Sequence, residues 1–155
     1  MSVPAMAFLR PDGGNGFGHV GFGFQLPNGQ WTVGSMENPS GWPVNLPGWT
    51  GFWSRTVADP LAAMRNPLAA GAPKGSPPYV AAKRIDVIAP RLPRAQAALQ
   101  QWASRPFAAT GGNCLNCTFD VLYAFGAAVP DPTPNPALWA PNNWFDAIAG
   151  PAMRL

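Results

Sequence analysis

The stretch from Gly111 to Gly126 constrains this chain more than any other. It runs Gly111-Gly112-Asn113-Cys114-Leu115-Asn116-Cys117-Thr118-Phe119-Asp120-Val121-Leu122-Tyr123-Ala124-Phe125-Gly126. A glycine loop leads into asparagine, whose short side chain caps helix starts. Gly126 has the backbone freedom that a helix end requires. Between these two signals, Leu115, Phe119, Val121, Leu122, Ala124 and Phe125 leave almost no polar face, and Asp120 is the one charge. A helix that is apolar nearly all round belongs in the middle of a fold. It also carries a thiol, Cys114, in its first turn. There the thiol meets unpaired backbone N–H groups and the positive end of the helix dipole, both of which favour thiolate, the reactive form.

The rest of the composition sets limits. At 155 residues with 47% apolar and 11% charged side chains, the chain reads as one globular domain with a proper core. Its 20 prolines and 17 glycines predict much ordered loop between short elements. The net charge is +3 and the ten basic residues are scattered, which gives no footprint for nucleic acid. No apolar run approaches the ~18 residues of a membrane span. Residues 1–10 lack the basic and long apolar regions of a secretory signal, so the expected location is the cytoplasm, or outside the cell by a route without a cleaved signal. Cys114 and Cys117 are too close in sequence to staple distant segments, and a reducing compartment is the default.

Along the chain, residues 10–18 form a glycine-rich loop. A hairpin follows, with one strand over 19–26 and a second over 31–37. Asn28-Gly29 is the preferred pair for a two-residue turn. That turn pairs Pro27 with Gln30, setting Asn38 opposite His19 and Glu37 opposite Val20; a bulge would exchange the two. Residues 38–54 read as a loop packed by Trp42, Trp49 and Trp53. Asp59 caps a short helix opened by Pro60, and 66–78 is a second loop. A strand is expected over 79–88 and an amphipathic helix over 93–104, with Ala95, Ala98, Leu99 and Trp102 sharing a face. Beyond the cysteine helix, 130–141 is extended, and a short helix over 142–149 bears Trp144 and Phe145. The expected class is α+β: an antiparallel sheet, made of the 19–37 hairpin and the 79–88 strand, packed on the cysteine helix. One domain spans 1–155, with its core over about 15–126 and a Pro/Trp-rich tail over 127–155.

His19 is the only histidine in the chain, so a thiol–imidazole mechanism has no other base. It heads a strand, and Gly18, Gly21 and Gly23 leave room beside it for a helix to pack closely. Nucleophilic catalysis also needs a third group to hold the ring, and Glu37 or Asn38 supplies it from the next strand. The backbone N–H of Cys114, with the Asn113 side chain, is the candidate oxyanion hole, and Gly112 allows a substrate to approach. Cys117 lies one turn inside the helix and reads as packing. Cys114 and Cys117 also match the C-x-x-C redox pattern, although that motif usually follows a strand early in a βαβ unit. Structural zinc takes four Cys/His ligands, and two cysteines with one histidine fall short. No cofactor or metal is called for.

The order of these pieces resembles the circularly permuted papain-fold superfamily, which includes NlpC-like hydrolases, lecithin:retinol acyltransferase-like enzymes and PPPDE isopeptidases. Gly18-His19-Val20-Gly21-Phe22 lies on one strand and Gly34-Ser35-Met36-Glu37-Asn38 on the next, and Gly112-Asn113-Cys114 opens the late helix. In this group histidine comes first on a strand and cysteine later on a helix. The resemblance covers about residues 15–126. It implies a permuted papain-like fold with Cys114 as nucleophile, His19 as general base, and Glu37 or Asn38 as the orienting residue. Acyltransferase members often use a second histidine as the third group, and this chain has none.

The expected function is therefore a thiol hydrolase, a cysteine peptidase or amidase. It would cleave a peptide, an isopeptide or a peptidoglycan peptide through an acyl-enzyme on Cys114. A small basic amidase of this kind also fits a toxin delivered into a rival bacterial cell and held in check by an inhibitor or immunity protein. The alternatives are an acyltransferase or thioesterase with an apolar groove lined by tryptophans, a binding module that has lost the chemistry, and a C-x-x-C oxidoreductase. Trp42 and Trp144 are the candidate walls of the substrate cleft.

Overall fold

A computed structural model describes residues 1–38, 51–106, 108 and 113–155. Six strands form one antiparallel sheet: β1 (Val3–Arg10), β2 (His19–Gln25), β3 (Trp31–Met36), β4 (Phe52–Val57), β5 (Ala81–Val87) and β6 (Met153–Arg154), in the order β4-β3-β2-β1-β5-β6. The helices are α1 (Pro60–Arg65), α2 (Leu92–Ala103), α3 (Cys114–Phe125) and α4 (Pro141–Ala147). The α+β class expected from the sequence is what the chain adopts, with a larger sheet.

Strand β1 is the main addition, and it lies between β2 and β5. The 19–37 hairpin and the 79–88 strand are therefore separated by residues read only as the start of the chain. Ala5, Ala7 and Leu9 face one core, while Met6 and Phe8 face another. A strand buried on both faces is apolar throughout and shows no period-two signal, which is why its sequence did not announce it. Strand β4 falls at the end of the expected 38–54 loop. It is an edge strand with Ser54, Arg55 and Thr56 at least partly exposed, so its apolar pattern is short.

The first core joins Val20, Phe22, Phe24 and Met36 to α2, α3 and α4. Phe24 stacks on Phe125 with centroids 4.8 Å apart. Helix α3 is covered on most of its surface, but Tyr123 is exposed and Phe119 stacks against it. The second core, on the other face, holds Phe8, Trp31, Val33, Trp53, Met64 of α1 and Tyr79. This corrects the expected use of the small residues beside His19. A Cβ on Gly21 would meet Met64 Cε at 2.7 Å, and one on Gly23 would meet Phe8 Cε2 at 3.0 Å. The space is filled by α1 and neighbouring strands, whereas the cysteine helix packs on the opposite face.

The tail enters the first core through Trp144, Phe145 and Ile148. Buried Lys83 fixes it there, donating to the carbonyls of Asp146 (3.1 Å) and Ile148 (2.7 Å) at the end of α4, where carbonyls lack helical partners and favour a cation. Among the described residues, no helix is long and apolar enough to cross a membrane.

Candidate active site

The β2–β3 turn decides which side chain faces His19. Leu26 N–H donates to Gln30 O (2.7 Å) and Gly29 N–H to Leu26 O (2.9 Å). Pro27-Asn28-Gly29 is thus a three-residue loop, closed by Gly29 at φ +84, the type I turn plus glycine bulge. The expected two-residue turn is corrected by one position: Gln25 pairs with Trp31 and Phe22 with Gly34. Carried to the strand ends, this register sets Glu37 opposite His19. Their side chains meet, with Glu37 Oε2 2.8 Å from His19 Nε2.

The other oxygen of Glu37 is equally committed. Trp53 Nε1 donates to Oε1 at 3.0 Å and Tyr79 Oη donates to it at 3.3 Å. Strand β4 brings Trp53 here because Gly51 lies against the Glu37 backbone: Glu37 N–H donates to Gly51 O at 2.8 Å, and a Cβ on Gly51 would overlap the Glu37 carbonyl. Ser35 Oγ lies 3.4 Å from His19 Nε2 and donates to Val20 O at 2.9 Å. The Tyr79 ring lies beside the imidazole, with centroids 5.5 Å apart.

Burial and charge oppose one another throughout this cluster. For His19, burial lowers the pKa, but the charges of Glu37 and Cys114 and hydrogen bonds to both outweigh it and hold the imidazole well above its ordinary 6.5. For Glu37, burial raises the pKa; attraction to His19 and hydrogen bonds from His19, Trp53 and Tyr79 prevail and keep it below 4.5. Tyr79 is pushed well above 10 by burial and by the Glu37 charge. A buried carboxylate stays ionised only when paired and hydrogen-bonded, and Glu37 is both.

Cys114 is the first residue of α3. Asn113 Oδ1 accepts from Asn116 N–H (3.0 Å) while Asn116 Oδ1 accepts from Asn113 N–H (3.3 Å). This reciprocal capping box satisfies donors that would otherwise be orphaned and fixes the turn that carries the thiol. At the far end Gly126 adopts φ +107, as expected of a C′ glycine. Cys114 is 6% exposed, and it is one of the groups that raise the His19 pKa. On the imidazole, Nε2 is the nitrogen that faces Glu37. The region thus gathers a thiol, an imidazole and a carboxylate, the three kinds of group that a nucleophile, its base and an orienting group would be.

Of the two candidates for the third group, Glu37 carries the contact to His19; Asn38, half-buried, follows it in the chain. Asn113 is the helix cap, with its side-chain oxygen engaged. Trp144 is a core residue, fully buried with Nε1 donating to Pro130 O at 2.8 Å, and this corrects its expected place in a cleft wall. Gly112 and Trp42 lie outside the described residues, as do Gly111 and Trp49. Sequence reasoning missed Ser35, Trp53 and Tyr79 as site residues. Ser35 could have been found, since it shares a strand face with Glu37. Trp53 and Tyr79 arrive from separate segments with no local signal. Among the described residues, no group of three or more His, Cys, Asp or Glu side chains could hold a metal ion.

No protein-family model, curated protein or solved structure matches this chain.

Proposed function

We propose that this chain is a cysteine hydrolase of the permuted papain-like type, acting on an amide. The observation that carries the reading is the contact of His19 with the Glu37 carboxylate at 2.8 Å, beside a Cys114 whose charge helps raise the imidazole pKa. The antiparallel sheet with histidine at the start of β2 and cysteine at the start of α3 supports the permuted order.

In this mechanism His19 takes the Cys114 proton and the thiolate attacks the substrate carbonyl. Glu37 holds the imidazolium that forms. At the first position of α3 the backbone N–H has no helical partner, and that of Cys114 can donate to the developing oxyanion. His19 then gives its proton to the leaving amine, and a thioester remains on Cys114. Water, deprotonated by His19, attacks the thioester and releases a carboxylic acid. The substrate class is a peptide, an isopeptide or a peptidoglycan stem peptide. Were this amidase a toxin delivered into a rival cell, an inhibitor or immunity protein would be its partner in the cell that makes it.

A tryptophan-lined lipid groove would have favoured acyl transfer. Of the three loop tryptophans, Trp53 is turned onto Glu37 and is not available to line one, while Trp42 and Trp49 lie outside the described residues.

The test is site-resolved alkylation by iodoacetamide across pH in wild type and His19→Ala, followed by peptide, isopeptide and stem-peptide substrates with Cys114→Ala as control. Selective labelling of Cys114 below pH 8 that changes in His19→Ala, with cleavage abolished in Cys114→Ala, is the expected result. Two cysteines that label alike regardless of His19 would overturn the proposal.

A further inference from the structure

Cys117 has no part in the proposed chemistry, yet it places a second thiol one turn from the first. Both cysteines are free and buried. Cys114 is the first residue of α3 and Cys117 the fourth, and the turn between them is regular: Cys117 N–H donates to Asn113 O at 3.1 Å. Helix geometry sets residues three apart at a Cα separation of ~5 Å, inside the ~4.4–6.8 Å that a disulfide spans. The capping box holds this turn in place, so the two residues stay one turn apart. Burial, together with the negative charges of Cys114 and Asp120, pushes the Cys117 thiol well up. Cys117 is thereby kept protonated at rest and does not compete with Cys114 as a nucleophile.

We propose that Cys114 and Cys117 form a peroxide-responsive dithiol site, in which a hydroperoxide oxidises Cys114 and Cys117 closes the oxidised sulfur into a Cys114–Cys117 disulfide. The inference rests on the hydrolase reading, because it takes Cys114 to be a reactive thiolate beside His19. Its chemistry balances in two steps. The Cys114 thiolate attacks the distal peroxide oxygen, the O–O bond breaks, and a proton completes the alcohol or water that leaves; Cys114 becomes a sulfenic acid. The Cys117 sulfur then attacks the Cys114 sulfur, the S–O bond breaks, and the oxygen departs as water with the Cys117 proton. Two thiols are oxidised to one disulfide and one hydroperoxide is reduced. The product lacks the nucleophile, is restored by a dithiol reductant, and is protected from irreversible oxidation to sulfinic acid.

The experiment treats the full chain with hydrogen peroxide, blocks remaining thiols with iodoacetamide, and reads the intact mass before and after dithiothreitol, for wild type, Cys117→Ala and Cys117→Ser. In wild type the expected product has lost two hydrogens, takes up no iodoacetamide, and regains full Cys114 labelling after reduction. In both variants Cys114 gains oxygen atoms instead and its labelling is not restored. Using two replacements guards against a packing defect in either. Wild type that accumulates oxygen on Cys114 while Cys117 still alkylates after denaturation would overturn the dithiol site. The two readings fail separately. Untreated protein whose Cys114 labels like an ordinary thiol in wild type and His19→Ala alike sinks the hydrolase reading. A fast, His19-dependent Cys114 that peroxide over-oxidises without closing a disulfide sinks only this inference.

Discussion

Glu37 and His19 meet across the end of the β2–β3 hairpin, with Oε2 of one 2.8 Å from Nε2 of the other, and the carboxylate has no oxygen to spare. Its second oxygen takes donors from Trp53 and Tyr79. The imidazole is thus held by a buried anion that is itself held on both sides. The Glu37 side chain is only 5% exposed, so solvent does little to weaken this pairing. Trp53 and Tyr79 act through Glu37 and are positioning residues.

Replacing Glu37 by glutamine keeps the shape and removes the charge. Because His19 is the only histidine, its ring gives a single resonance in a histidine-labelled sample. Its midpoint is expected well above 6.5 in wild type and lower in Glu37→Gln by more than ~1 pH unit, the size of shift a close opposing charge produces. Cys114 alkylation at mildly acidic pH is expected to slow with it. An unchanged His19 midpoint would show that Glu37 does not set the state of the ring.

Trp53→Phe and Tyr79→Phe each remove one donor from Glu37 Oε1 and leave His19 and Cys114 in place. A hydrogen bond to a charged group is worth ~1.5–3 kcal/mol, and one pKa unit is ~1.4 kcal/mol. The acid limb of Cys114 reactivity should therefore move up by about one pH unit. The shift should be larger for Trp53, whose bond is the shorter. A general loss of reactivity with no movement of the limb would indicate misfolding or a purely structural role.

The pair also shapes stability against pH. His19 has its folded pKa above 6.5, so its contribution is full below 6.5 and is lost as pH rises through the folded value. Glu37 has its folded pKa below 4.5, so its contribution is full above 4.5 and is lost as pH falls through the folded value. Urea midpoints should therefore peak between these two ordinary values. His19→Ala should flatten the alkaline decline and cost ~3 kcal/mol, because it strands a buried charge. A midpoint that keeps rising through pH 8 in wild type would contradict this.

Asn113→Ala removes the side chain that receives Asn116 N–H and breaks the capping box. Loss of such a cap costs ~1 kcal/mol, read as a shift in urea midpoint. Because the frayed turn carries Cys114, its selectivity over Cys117 in alkylation should also fall, and Asn113→Ser should restore much of both. A stability loss with unchanged selectivity would separate the cap from the site.

Much was legible in the chain because much of it is local. The Asn113 cap, the Gly126 stop and the apolar residues between them define α3 without reference to anything distant. Asp59 and Pro60 do the same for α1: Asp59 Oδ1 accepts from Leu61 and Ala62 N–H, each at 3.0 Å. Cys114 and His19 were found by their rarity and by the positions they occupy on a helix and a strand. What the sequence determined by itself was therefore the helices, the hairpin and the two candidate side chains, Cys114 and His19. The tertiary structure decided the rest. Strand β1 is central because both of its faces are apolar, a pattern that shows burial without showing neighbours. A third residue in the hairpin loop, with Gly29 at positive φ, moved the register by one position and gave His19 a carboxylate partner. Trp53 and Tyr79 reach that carboxylate because buried anions require donors, and only the folded sheet brings those donors from strand β4 and the segment before β5 to the same oxygen.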